Sequence, residues 1–247
     1  MSAHTSDVVT TYRSPSPTSR VLYWGSRATL RHVYRAWPLT ESGIRGLAAV
    51  ERGFARLPHA PGVAVEASSL GGVPAVTTTP QSGADGSDVT VLYLHGGAFV
   101  FCGPGTHARL CSSLAVHLDA PVHAVRYRKL PEVDLAALIN EVYSAYRSLA
   151  EQLPAGHRIV VAGDSAGGFL VFATALKAVE ENLPGPAGLV GFSPFLDLDC
   201  SAKAAHVNAE RDAFATVDQL EAVALLGAQK DVELDTSLSP VNGNLAT

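Results

Sequence analysis

The chain has 247 residues, of which 47% are aliphatic, aromatic or cysteine and 17% are charged, and its formal net charge at pH 7 is −5. This length suits one large domain with a sizeable core, and this apolar content excludes disorder along the whole chain. The first 60 residues are basic and the rest is acidic, which argues against a nucleic-acid-binding domain, whose positive patch would lie on the folded part.

Residues 1–20 predict a disordered tail. They are polar and rich in serine and threonine, and they lack the apolar stretch of a signal peptide. No window holds the roughly 18 apolar residues that a membrane span needs. The sequence has three cysteines, an odd number at irregular spacing: Cys102, Cys111 and Cys200. They therefore indicate neither a disulfide framework nor a zinc-binding pattern. We expect a cytoplasmic, reduced protein without a bound metal.

Residues 21–57 predict an N-terminal helical cap segment. Apolar residues recur at helical spacing among arginines, and Pro38 should break the segment into two helices because it disfavours helical geometry at Trp37. One interpretation is a basic amphipathic helix that lies on a membrane surface. The other is a flap that packs its apolar side on the protein's own domain. We favour the flap because aromatic residues on an apolar stripe usually serve a core.

The remaining sequence alternates between strand and helix patterns. Residues 62–80 predict an antiparallel hairpin joined through Gly71 and Gly72. Short apolar runs, typical of strands buried on both faces of a parallel sheet, occupy 89–94, 121–127, 158–163 and 188–193. Helical patterns occupy 106–118, 135–153, 165–182 and 216–230, the last beginning like a capping box. The alternation predicts an α/β fold with a mostly parallel sheet and helices on both faces.

A candidate nucleophile lies between the strand run 158–163 and the helical run that follows. Residues 163–167 read Gly-Asp-Ser-Ala-Gly, a G-x-S-x-G pattern. On so sharp a turn the backbone at Ser165 is strained and its Oγ projects above the sheet, while the flanking glycines let strand and helix approach. The positive N-terminal end of the helix would favour a developing oxyanion. An inert turn of small residues is the alternative.

A second motif, "YLHGGAF" at residues 93–99, follows the strand run 89–94. Two glycines after His95 let consecutive amides face one point, and with the amide of Ala166 they predict an oxyanion hole. By itself this motif also fits a glycine-rich turn or a phosphate cradle. Because both motifs follow parallel strands, we expect them to meet at the edge of the sheet where ligands bind.

With these motifs the chain resembles the hormone-sensitive-lipase-like branch of the α/β-hydrolase fold, the bacterial esterases with H-G-G-G and G-D-S-A-G-G motifs. "YRKLPE" at 127–132 is similar to that family's Y-R-L-A-P-E, and "FSPFLDL" at 192–198 to its S-P-W-x-D-L. The resemblance runs from about Val21 to the last residue. It implies hydrolysis of short- to medium-chain carboxylic esters, with no metal and no cofactor.

The resemblance also implies roles for individual residues. Ser165 is the nucleophile, on an elbow formed with Gly163, Asp164 and Gly167. The implied oxyanion hole comprises His95, with a structural ring, and Gly96, Gly97, Ala98 and Ala166. Ala98 stands where the family has a third glycine and keeps its N–H. Residues 58–247 are then the hydrolase core, with a cap insertion at about 199–235.

The acid and base that should activate Ser165 are the difficulty. A serine hydroxyl needs a histidine oriented by a carboxylate, and in the resembling family both follow later strands. This sequence ends on a segment similar to the one before those strands, so the C-terminal strands are expected to be missing. His206, in the predicted insertion, is a weak candidate base, and Asp197 and Asp199 come one strand too early, so we assign Asp197 a structural role. The chain is then either a fragment or a natural truncation without catalysis.

The expected partner is a small-molecule acyl ester. If the last strands are missing, the run 188–193 becomes the edge of the sheet, and a dimer or another edge-strand association is expected there. A non-catalytic protein that keeps the acyl pocket for ligand binding or assembly is an alternative function. An amidase or peptidase on the same fold is another, because acyl transfer to water uses the same groups.

Overall fold

A six-stranded sheet organises the protein, and the computed structural model describes it within residues 14–54, 56, 58–84, 86–228 and 235–244. The strands are β1 Val63–Leu70, β2 Val73–Pro80, β3 Val89–Leu94, β4 Val122–Val125, β5 Arg158–Asp164 and β6 Gly188–Phe192. The helices are α1 Pro17–Ala28, α2 Leu30–Ala36, α3 Glu41–Phe54, α4 Ala108–Leu118, α5 Leu135–Gln152, α6 Ala166–Glu180, α7 Ser201–Ala205 and α8 Val217–Gly227. Two 3₁₀ turns, Thr236–Leu238 and Pro240–Asn242, follow.

The sheet is mixed, with the strand order β1-β2-β4-β3-β5-β6. β1 and β2 form an antiparallel hairpin, and β2 joins β4 antiparallel, whereas β4, β3, β5 and β6 run parallel. In the register of β3 and β5, Leu94 lies opposite Gly163. The segments that follow these two strands therefore leave the sheet at the same edge, beside each other.

The core lies on both faces of the sheet because β3 alternates its side chains between two apolar clusters. Leu92 and Leu94 belong to a cluster that includes residues of α5 and α6, such as Phe169. Val91 and Tyr93 face a smaller cluster that includes Cys111 of α4. Helices thus cover both faces, and the predicted α/β-hydrolase architecture is confirmed, with the hairpin and all four predicted parallel strands present.

The N-terminal segment differs from the prediction in two ways. Helix α1 begins at Pro17, so residues 17–20 are helical rather than part of a tail, and residues 1–13 lie outside the described residues. Ser16 caps this helix by accepting a hydrogen bond from the amide of Ser19 at 3.1 Å, and proline suits the first helical position. A further break at Thr29 divides the segment into three helices instead of two.

The apolar side of α1 does not pack on the domain, so the favoured flap interpretation is wrong for this helix. No residue of α1 or α2 is buried, and Val21 and Trp24 are 72% and 64% exposed. Polar side chains make the attachment: Tyr23 Oη donates to the carbonyl of Arg211 at 2.9 Å, and Arg27 to that of Glu210 at 2.8 Å. The turn at 210–215 thus offers main-chain carbonyl oxygens that the polar side chains of α1 can bond. Apolar side chains have no donor for these oxygens.

Helix α3, in contrast, is firmly joined to the core. Its Ile44 and Leu47 pack against the larger apolar cluster. Its Glu51 is buried and forms salt bridges with Arg126 at 3.2 Å and Lys129 at 2.6 Å. The loop after β4 is therefore tied to the N-terminal segment.

The C-terminal part of the described chain adds no strand after β6 within residues 193–228 and 235–244. β6 lies at an edge of the described sheet, with Val190 and Phe192 partly exposed, and association through that edge stays a prediction. The predicted insertion contains α7 and α8, and its residues 229–234 lie outside the described part. None of the helices among the described residues combines the length and apolar character that crossing a membrane requires.

Candidate active site

Ser165 is the single residue between β5 and α6, and its backbone is in an unusual conformation, with φ +50° and ψ −116°. The surroundings hold it there. Its N–H donates to the carbonyl of Phe192 at 3.0 Å, and its own carbonyl accepts from Phe169 at 3.1 Å and Phe195 at 3.0 Å. Ser165 is exposed between a partly buried Asp164 and a buried Ala166, and its hydroxyl has no hydrogen-bond partner among the described residues. Such strain persists only where the surroundings impose it.

Small residues at this turn allow it to press against the loop that follows β3. A Cβ at Gly167 would overlap the carbonyl of Leu94 and the backbone of His95, and one at Gly163 would lie 2.5 Å from the same Leu94 oxygen. The two glycine-containing motifs are therefore in direct contact at the edge of the sheet.

The loop after β3 has three consecutive residues with positive φ: Gly97 at +116°, Ala98 at +52° and Phe99 at +59°. Its own turn closes it, because the amide of Phe101 donates to the carbonyl of Gly97 at 2.9 Å. Position 97 requires glycine because a Cβ there would overlap that Phe101 carbonyl. The loop is thus held in one conformation, in which positive φ values set the direction of its main-chain N–H groups.

The predicted oxyanion hole includes four main-chain amides, and one of them already donates a hydrogen bond within the protein. The amide of Gly96 donates to Asp164 Oδ1 at 3.0 Å, so this expected oxyanion donor is already used. The amides of Gly97, Ala98 and Ala166 donate to no acceptor within the described part of the chain. Ala166 begins α6, where the end of the helix carries partial positive charge. These three amides can take an anionic oxygen without breaking an existing bond.

Asp164 connects the two motifs. Its Oδ1 accepts from Tyr93 Oη at 2.9 Å and from Gly96 N, and lies 3.2 Å from Nε2 of His107. Burial opposes ionisation of this carboxyl, but the hydrogen bond and charge of His107, together with the bonds from Tyr93 and Gly96, outweigh it and lower the pKa of Asp164. The carboxylate therefore braces the loop against the turn, and none of these contacts involves the Ser165 hydroxyl.

His107 and Tyr93 were not anticipated from the sequence. His107 directly precedes α4, and its other ring nitrogen, Nδ1, lies 2.9 Å from the hydroxyl of Thr106. Nothing in its spacing from Ser165 singles it out, because α4, β4, α5 and β5 separate the two in the chain. A histidine at the start of a helix that covers the Tyr93 side of the sheet is the one signal that the sequence offered.

The ring of His95 supports the backbone of the loop. It is buried, it stacks on Tyr127 with 4.2 Å between ring centroids, and its Nδ1 lies 2.8 Å from the carbonyl of Gly96. Tyr127 Oη donates to the main-chain oxygen of His95 at 2.5 Å. Burial lowers the pKa of His95 to about 3, so the ring is neutral at physiological pH.

No base or acid is placed at Ser165 by the described residues, since none of their histidines or carboxylates is hydrogen-bonded to its hydroxyl. His206 is exposed after α7, where its Nδ1 accepts from the amide of Asn208 at 3.1 Å. Asp197 and Asp199 make local turn contacts, accepting at 3.0 Å from the amide of Asp199 and at 2.8 Å from that of Ser201.

A cleft of about 1120 Å³ lies on a different part of the same edge, between α3, the β1–β2 hairpin and the start of α5. Tyr127 and Val100 line it, so it reaches the back of the loop after β3, but Ser165 does not. Its charged side chains are largely paired with each other, as Glu51 is with Arg126 and Lys129. We do not assign this cleft to the acyl site.

Comparison with known proteins supports the fold and identifies its family. Residues 91–247 match a family model described as alpha/beta hydrolase fold. The carboxylesterase/phospholipase LipF of Mycobacterium tuberculosis is 34% identical over 192 residues, which are 77% of this chain and 46% of LipF. The esterase LipU of the same organism is 39% identical over 164 residues, 64% of this chain and 55% of LipU.

A solved hormone-sensitive lipase from a metagenome library superimposes with a TM-score of 0.76 at 34% identity, covering 89% of this chain and 73% of the other. The chain spans about half the length of the two curated mycobacterial relatives.

Proposed function

Since the chain belongs to the hormone-sensitive-lipase-like esterases of the α/β-hydrolase fold, we propose that it acts on carboxylic esters through Ser165 as the nucleophile. The observation that carries the proposal is the strained, exposed Ser165 at the start of α6, in contact with a loop whose amides at Gly97 and Ala98 have no partner among the described residues. Esters with short to medium acyl chains are the proposed substrates.

The proposed reaction has two steps. Ser165 Oγ attacks the acyl carbonyl carbon, its proton passes to a base, and the carbonyl oxygen becomes an oxyanion held by the amides of Gly97, Ala98 and Ala166. Collapse of this intermediate breaks the bond to the alcohol, which takes the proton and leaves. Water then hydrolyses the acyl-serine by the same route and regenerates Ser165.

We place the base and the acid of the triad outside the described residues. Three hydrogen bonds or close contacts occupy Oδ1 of Asp164, the His95 ring is neutral and holds the loop, and His206 is on the exposed surface. The same lack of a base favours one alternative, a protein that binds acyl ligands without hydrolysing them.

The test is hydrolysis of p-nitrophenyl butyrate by the 247-residue chain, compared with Ser165→Ala and with Ser113→Ala, an exposed serine on α4 as the matched control. Loss of the base of a serine hydrolase lowers kcat by roughly 10⁶-fold, while binding and the oxyanion hole retain about 10³–10⁴-fold over water. We expect slow turnover that neither Ser165→Ala nor Ser113→Ala lowers much further, because a serine without its base adds little to the rate that binding and the oxyanion hole supply. Fast turnover by the isolated chain would contradict the missing base.

Added imidazole separates the esterase from the acyl binder. If only a base is lacking at Ser165, imidazole should raise the difference in rate between the natural chain and Ser165→Ala. Subtracting the Ser165→Ala rate at each concentration removes the hydrolysis that imidazole catalyses by itself. If the two rates are equal at every imidazole concentration, the result supports the alternative, a protein that binds acyl ligands without hydrolysing them.

A further inference from the structure

Helices α1 and α2 present large apolar side chains away from the domain. The exposed residues are Val21, Leu22, Trp24, Leu30 and Val33, which we call the N-terminal apolar face. We propose that this face binds the surface of an anionic phospholipid membrane. Monomeric proteins seldom expose this many large apolar side chains within two short adjoining helices without a partner for them.

The orientation of the face is fixed by hydrogen bonds on the other side of the two helices. Tyr23, Arg27 and Arg31 all donate to main-chain carbonyls between residues 210 and 215. The Arg31 side chain is only 12% exposed and also lies 3.8 Å from the carboxylate of Glu210. Rotating the helices to bury the apolar face would break these bonds, including those of the largely covered Arg31. These bonds therefore hold the face away from the described part of the domain.

The charge of the two helices matches an anionic surface. Residues 17–36 contain four arginines and no aspartate or glutamate. Arg27 and Arg31 are used in the attachment, whereas Arg20 and Arg35 are exposed and form no salt bridge in the part of the chain that the structure describes. Arg35 lies close enough to Asp218 to help lower the pKa of that carboxyl. Arg20 lies one helical turn before Trp24 and two turns before Arg27, so it is at the border between the apolar face and the attached side of α1.

A lipid surface fits this face better than a second copy of the chain. Two copies meeting there would bring Arg20 and Arg35 of each into a shared interface with no acid from these helices to pair with them, and buried unpaired charge is unfavourable. At a membrane the arginines reach phosphate groups while the apolar side chains enter the acyl boundary, and tryptophan is well suited to that boundary.

The experiment is flotation of the 247-residue chain with phosphatidylglycerol vesicles, with phosphatidylcholine vesicles as the uncharged comparison. We expect binding to the anionic vesicles that weakens as salt is raised, because screening shortens the reach of the arginines. Trp24→Ser should lower the partition coefficient about tenfold. Arg20→Gln and Arg35→Gln should each lower it about fivefold on anionic vesicles only. Leu118→Ser, on the exposed surface of α4, is the matched control and should change nothing.

Two results would overturn the proposal. One is no binding to phosphatidylglycerol vesicles at low salt, or binding that Leu118→Ser weakens as much as Trp24→Ser does. The other is a reversible dimer in sedimentation velocity that Trp24→Ser dissociates, which would assign the face to a second copy. Vesicle binding by the Ser165→Ala variant should equal that of the natural chain, so this test is independent of the proposed esterase activity.

Discussion

Replacing Ser165 by glycine should stabilise the protein even though it removes the proposed nucleophile. The φ of +50° and ψ of −116° at this position lie in a region that only glycine adopts readily. The hydroxyl of Ser165 makes no hydrogen bond to the described residues, so its removal breaks none of their contacts. Ser165→Ala keeps the Cβ, and with it the strain, and is the correct reference.

The expected magnitude follows from two opposing effects. A residue held in a sparsely populated backbone region is destabilising by about 1–3 kcal/mol. Glycine lowers stability by about 0.4–1 kcal/mol through the greater freedom of the unfolded chain. The net gain of Ser165→Gly over Ser165→Ala is therefore about 1–2 kcal/mol, which corresponds to roughly 2–8 °C in Tm for a domain of this size.

Differential scanning calorimetry and urea unfolding of the two variants test this difference. Ser113→Gly, on an exposed position of α4, is the control and should lower stability by about 0.5–1 kcal/mol, because glycine is a poor residue in a helix. If Ser165→Gly melts at or below Ser165→Ala, the turn stores no strain and the reasoning from its backbone angles fails.

Two further changes test the contact between the motifs. Gly167→Ala should lower the free energy of unfolding by about 2 kcal/mol or more in urea, because its Cβ would overlap Leu94 and His95, whereas Gly53→Ala, with open space around it, should be neutral or stabilising. Asp164→Asn should destabilise most above pH 5, and its difference from the natural chain should shrink as the pH falls below about 4. The pKa of Asp164 is lowered in the fold, so its stabilisation is present above the unfolded pKa of about 3.9 and disappears as the carboxyl protonates. A gap that is constant or widens toward low pH would contradict this.

Much of the fold could be predicted because its signals are local. The apolar runs of β3 and β5 are nearly continuous because both faces of those strands are largely buried. The G-x-S-x-G pattern likewise predicts the strained turn. Its two glycines leave the space that a sharp change from strand to helix requires around the serine.

The brace around Asp164 could not be predicted in the same way. Consecutive glycines indicate that the amides after His95 can turn, but not which acceptor each amide meets. Gly96 and Asp164 are 68 positions apart, and their contact exists because β3 and β5 are neighbours in register. His107 reaches the same carboxylate from a third segment, through the placement of α4 over the sheet. Such assignments depend on tertiary distances that residue patterns do not contain.

The direction of α1 shows why an amphipathic pattern does not determine which side of a helix faces the protein. Burying Val21, Leu22 and Trp24 would gain about 1.5–3 kcal/mol for each side chain that is fully covered. A hydrogen bond with a charged donor contributes about 1.5–3 kcal/mol, and Arg27 and Arg31 make such bonds to the carbonyls of the 210–215 turn. The two orientations are therefore similar in free energy on local grounds alone. The position of the 210–215 turn decides between the two orientations, and that turn lies almost two hundred residues later in the chain. The observed orientation leaves the apolar side of α1 available for a surface outside the protein.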